Sequence, residues 1–99
     1  MAYSIIVSPR AQMEIENAID HYAQDSTDAP ILFITALRDT YKVLSVNPFF
    51  KMRYKNVRAL RIKRFPYMLY FVINESKSTV RVLSCFHGKR NPSDRPLSS

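Results

Sequence analysis

Residues 58–92, RALRIKRFPYMLYFVINESKSTVRVLSCFHGKRNP, decide the fold: they read as three strands joined by short turns. Residues 58–64 alternate, with Leu60 and Ile62 on one face and Arg61 and Lys63 on the other. A period of two marks a strand with one buried face. Residues 67–73 are apolar without a break and rich in aromatic and β-branched side chains, which predicts a central strand covered on both faces. The polar run Asn74-Glu75-Ser76-Lys77-Ser78 is a turn, and residues 79–86 make the third strand. That strand leads into the basic knot His87-Gly88-Lys89-Arg90.

The residues before this stretch read as its support. A short apolar strand, residues 3–7, is closed by Ser8-Pro9. Ser8 can accept from the free N–H groups of a helix start, and proline suits the first helical position. Ala11, Ile15, Ala18, Ile19 and Tyr22 then recur on one side at helical spacing, up to a stop near Asp25-Ser26-Thr27. A second helix restarts with Asp28 as cap and Pro30 in its first turn. It carries Phe33, Leu37, Tyr41 and Leu44 on one stripe and stops at Asn47-Pro48. Phe49-Phe50 makes a half-buried hinge, and residues 51–57 fit either a loop or the start of the next strand. The expected fold is α+β, in the order β-α-α-β-β-β: an N-terminal strand, a helical hairpin over residues 9–46, then a three-stranded antiparallel meander. The helices lie on one face of the sheet, and the other face is left for a partner.

Length and composition bound the function. The 99 residues make one domain over 1–99, with 46% hydrophobic side chains for a core and residues 91–99 as a flexible tail. Cys85, the only cysteine, excludes an internal disulfide and a multi-cysteine zinc site, and its apolar strand makes it a buried, inert thiol. No apolar run reaches the ~20 residues of a membrane span. The N-terminus has no basic region followed by an apolar one, so a cytoplasmic protein is expected.

The net charge of +7 is unevenly spread. Residues 1–50 carry three basic and six acidic side chains, a balance of −3, whereas residues 51–99 carry twelve and two, a balance of +10. Between Lys51 and Arg64 stand seven basic residues and no acid. Such a field attracts a polyanion: nucleic acid, ribosome or an acidic protein segment. A solvated basic face is the plainer alternative.

The motifs narrow the chemistry. One glycine, Gly88, excludes a P-loop and a dinucleotide fingerprint. There is no HExxH, and His21 and His87 stand far apart, so neither a metal site nor a cofactor is expected. Arg61, Lys63, Arg81 and His87 are the polar members of their strands, and the even step from Arg81 to His87 puts both on one face. Arginine for phosphate and histidine for proton transfer would suit cleavage of RNA, with His87, Arg81, Arg61 and Lys63 as the set.

The stretches Ser8-Pro9-Arg10-Ala11, Asn47-Pro48, Phe65-Pro66-Tyr67 leading into Tyr70, and Phe86-His87-Gly88-Lys89-Arg90-Asn91-Pro92 fall in an order that resembles the RelE/ParE superfamily of toxins, or plasmid stabilisation proteins. The resemblance covers about residues 3–92. It implies the toxin half of a type II toxin–antitoxin system, which inhibits growth and is held in a hetero-oligomer by an acidic, partly disordered antitoxin encoded beside it. Members similar to RelE cut messenger RNA on the ribosome. Members similar to ParE poison DNA gyrase and are not nucleases. His87 stands where the nucleases place a terminal acid or base, while Tyr67 replaces an arginine they commonly carry. The Phe65-Pro66-Tyr67 segment looks more like the ParE branch, so the resemblance favours a gyrase poison. Arg61, Lys63, Arg81, His87, Lys89 and Arg90 are then the expected target-binding residues. A nucleic-acid-binding module without toxicity is the reading from another class.

Overall fold

A computed structural model describes residues 2–88. Lys89, Arg90 and the expected tail at 91–99 lie outside the described residues. Strand β1 spans Ser4–Val7, helix α1 Pro9–Ala23 and helix α2 Ala29–Val46. Four strands follow: β2 at Met52–Tyr54, β3 at Val57–Arg61, β4 at Tyr67–Asn74 and β5 at Thr79–His87. They form one sheet in the order β1-β5-β4-β3-β2. Neighbours from β2 to β5 are antiparallel, whereas β1 runs parallel to β5, with Ser4 opposite Thr79 and Val7 opposite Val82. The expected α+β architecture is the observed one. The undecided residues 51–57 supply β2 and its turn, which extends the meander by one short strand.

Local chemistry explains the helix ends. Ser8 Oγ accepts from Ala11 N at 3.1 Å and donates to Leu83 O at 3.1 Å, so one hydroxyl caps α1 and ties it to β5. The cap of α2 differs from expectation. Asp28 is helical in backbone and makes no side-chain cap bond, whereas Ser26 Oγ accepts from Ala29 N at 3.0 Å. Asp28 stands one residue before the helix with αR dihedrals, so its carboxylate cannot curl over the first turn as an extended cap residue does. Asn47, extended before Pro48, ends α2.

The core lies between the helices and one face of the sheet. Ala11, Ile15 and Ala18 of α1 and Phe33, Leu37 and Leu44 of α2 are buried against Leu69, Phe71, Val80, Val82 and Cys85. Arg58 also falls on this side, since it pairs with Phe71. Its Nη1 donates to Phe50 O at 2.7 Å and its guanidinium covers the Phe49 ring, so this cation pins the segment after α2. The expected strand over residues 58–64 stops at Arg61, because Lys63 and Arg64 form the turn and Arg64 adopts a φ of 72°.

Candidate functional site

The register of β4 and β5 determines which side chains can meet. Tyr67 pairs with His87, Leu69 with Cys85 and Tyr70 with Ser84, but Phe71 pairs with Val82. Leu83 is therefore an extra residue in β5, a bulge that shifts the alternation by one. Directly opposed residues point to the same side of a sheet. Tyr67 reaches Tyr22 of α1 and Phe33 of α2, so it lies on the helix side, and the His87 ring meets it edge-on at 5.3 Å. Arg81 sits between the buried Val80 and Val82 and points the other way, into solvent. The even step from Arg81 to His87 thus does not put them on one face, because the bulge intervenes.

The open face of the sheet, the one away from the helices, on which Arg61 and Arg81 are exposed but Ala59, Ser84 and Phe86 buried, is ordered in rows across β5, β4 and β3. Phe86, Met68 and Arg61 form one row, Ser84, Tyr70 and Ala59 the next, and Arg81 lies beside Val72 two residues further on. Arg61 and Arg81 are separated by two strand spacings, about 10 Å, and by four residues along the strand, about 13 Å. They are not neighbours on this face. Arg61 is also held, since its Nε donates to Phe65 O at 2.9 Å. Lys63, exposed in the turn, belongs to neither face. Of the four residues suited to RNA cleavage, His87 lies on the helix side, Arg61 and Arg81 on the other face, and Lys63 in the turn.

Sequence reasoning missed what does converge. Where β1 no longer flanks β5, α1 takes over the strand edge. Glu14 Oε1 accepts from Ser84 Oγ at 2.6 Å and from Cys85 N at 3.0 Å, while its Oε2 lies 3.6 Å from Arg10 Nε. The Arg10 guanidinium stands over the Phe86 ring, which in turn meets Tyr70 edge-on at 5.6 Å. An arginine and two aromatic rings thus share the end of the open face. The pair Ser84-Cys85 after Val82-Leu83 was the available signal, because two adjacent apolar residues break the alternation of the strand. On the helix side, Tyr22 joins Phe33, Phe65 and Tyr67 in a ring cluster. Burial, then the neighbouring Tyr67, Asp25 and Cys85, raises the Tyr22 phenol above its ordinary value. Among the described residues no three His, Cys, Asp or Glu side chains gather to hold a metal ion, and no helix is long and apolar enough to cross a membrane.

The comparisons with known proteins bear on this arrangement. The family model of the ParE toxin of type II toxin–antitoxin systems, parDE, matches residues 5–92. This chain belongs to the ParE toxin family. No curated protein sequence matches it. Among solved structures, this ParE-family chain is similar to the chromosomal ParDE system of P. aeruginosa, with a TM-score of 0.72 and 16% identity over 87% of this chain and 96% of that one. It is similar to the RelBE2 toxin–antitoxin complex of Mycobacterium tuberculosis, with a TM-score of 0.64 and 17% identity over 88% of this chain and 99% of that one. A free mutant of the E. coli toxin RelE gives a TM-score of 0.57 and 15% identity over 90% of this chain and 86% of that one. At these identities the likeness is one of fold, and it spans both branches of the superfamily.

Proposed function

We propose that this toxin of the ParE family is held by an acidic, partly disordered antitoxin in the cytoplasm and inhibits growth by poisoning DNA gyrase, not by cutting messenger RNA. The observation that carries the choice is the divergence of His87 from the cations. A ribonuclease needs its proton donor and its phosphate-binding groups around one bond. Here His87 lies on the helix side against Tyr67, while Arg61 and Arg81 occupy distant corners of the open face. A gyrase poison needs only a binding surface. On this reading Arg61, Lys63, Arg81, Lys89 and Arg90 contribute contacts to a large target, and His87 transfers no proton.

The test is induction of the toxin in cells with messenger RNA cleavage and DNA double-strand breaks scored in the same culture. The expected result is breaks without ribosome-dependent cleavage. His87→Gln retains much of the shape and hydrogen bonding and should stay substantially toxic, whereas neutralising Lys89 and Arg90 together should weaken the effect. A folded His87→Gln variant that is inert, from a wild type that degrades messenger RNA, overturns the proposal.

A further inference from the structure

Three described residues other than glycine hold a positive φ: Lys55, Arg64 and Ser78. Arg64 has the largest, 72°, at the third position of the turn 62–65, which Phe65 N closes by donating to Ile62 O at 3.0 Å. With Arg64 alone on the positive side, this is a type II turn, whose third position suits glycine or asparagine and strains an arginine. The strain cannot relax, because the turn is clamped from several sides. Ile62 N donates to Tyr67 O at 2.9 Å, Arg61 Nε donates to Phe65 O at 2.9 Å, and Pro66 O accepts from Gly88 N. Pro66 also restricts Phe65, the residue before it. A strained residue that its surroundings over-determine is a mark of functional sites.

The Arg64 guanidinium is exposed, and among the described residues it makes no hydrogen bond or ion pair. Asp39 of α2 lines the same cavity of about 380 Å³, yet the two are not paired. Lys63, also exposed, lines that cavity too, so a guanidinium fork and a point charge leave one rigid turn together. The surrounding stretch 51–64 holds seven bases and no acid, a field that fits the repeated charge of a nucleic-acid backbone better than a lone carboxylate. We infer that Arg64 is a contact residue for a phosphodiester of the DNA held by gyrase, pre-positioned by the strained turn. This deepens the gyrase reading and rests on it. The turn is less stable than it could be, since an arginine is held where glycine fits without strain.

The probe is purified gyrase with plasmid DNA and the full chain, read as the toxin concentration that gives half-maximal double-strand cleavage. Arg64→Gly and Arg64→Asn should each raise that concentration about tenfold, the loss of one charge-assisted contact. The slope of its logarithm against log salt should become shallower by about 0.9, the counterion release of one phosphate. The thermal midpoint should move the other way, rising by about 4–8 °C for Arg64→Gly as the strain is lifted. Ser78→Gly lifts strain of the same kind beyond the other end of β4 and should leave the cleavage concentration unchanged. Cleavage within about threefold of wild type by both Arg64 variants overturns the inference and leaves the gyrase reading standing. A loss of potency with a lowered thermal midpoint makes Arg64 a structural residue and overturns it. An unchanged salt slope assigns the guanidinium to a carboxylate of the target and overturns it as well. A wild-type chain that gives no cleavage overturns the gyrase reading and this inference with it.

Discussion

Glu14 shows how one side chain can finish a sheet. Parallel β1 satisfies β5 only as far as Val82. Beyond that point the Cys85 N–H and the Ser84 hydroxyl would face an edge without a strand, and the Glu14 carboxylate accepts from both. Removing the acceptor leaves buried donors unsatisfied, so Glu14→Ala should cost about 1–3 kcal/mol in urea unfolding. A loss indistinguishable from zero would mean that water replaces the carboxylate freely. Tyr41 gives a residue-scale prediction of the opposite kind. Burial pushes its phenol up to about 12, from an ordinary value near 10. The folded state thus favours the neutral phenol, so stability is unaffected below pH 10 and falls as pH rises from 10 to 12. Tyr41→Phe should flatten that fall, measured as the thermal midpoint across this range, and wild type should show a late phenolate step in ultraviolet titration.

The elements were legible where a period could be read. The amphipathic stripe of α1 and the apolar run of β4 placed both elements, but the expected cover on both faces of β4 is not found: Leu69 and Phe71 are buried against the helices, whereas Met68, Tyr70 and Val72 on the other side are only half-buried. Leu37 illustrates the reliability of the helical phase: it is 7% exposed in the core of α2. Leu37→Ala should therefore cost about 2–5 kcal/mol by chemical denaturation. A value near zero would mean that Leu37 faces solvent and the helical phase is wrong. The bulge at Leu83 was not legible by counting. Strand parity assumes that every residue advances the ladder by one step, and a single residue left unpaired reverses all later faces. That reversal put His87 and Arg81, six residues apart along β5, on opposite faces of the sheet. The cap at Ser26 escaped for a related reason, since Asp28 is the better capping residue in isolation and only its backbone dihedrals disqualify it. For Glu14 the only signal was the broken alternation at Val82-Leu83 on the other strand, because its partner Ser84 lies 70 residues away.

At the scale of the whole molecule, a balance of +10 over residues 51–99 gives association with an acidic partner a long-range electrostatic component. Raising ionic strength from about 0.05 to 0.5 M shortens the screening length several-fold, so affinity for the antitoxin should drop by about tenfold or more, mainly through slower association. Affinity independent of salt would leave apolar contacts as the sole source of binding. The sheet topology also bears on the life history of the chain. Ser4 meets Thr79, and Ser8 bonds to Val82 and Leu83, so the first strand and the start of α1 find their neighbours only in the last strand. Contacts between such distant residues form late and slow folding. A nascent chain has no flank for β1 and no anchor for Glu14 until translation passes residue 87, and at about 5–20 residues per second that takes several seconds. A message cut short anywhere before β5 yields a polypeptide with no completed sheet. The active form therefore comes into being only after synthesis of its final strand, and premature termination disarms it as surely as any substitution in its binding surface.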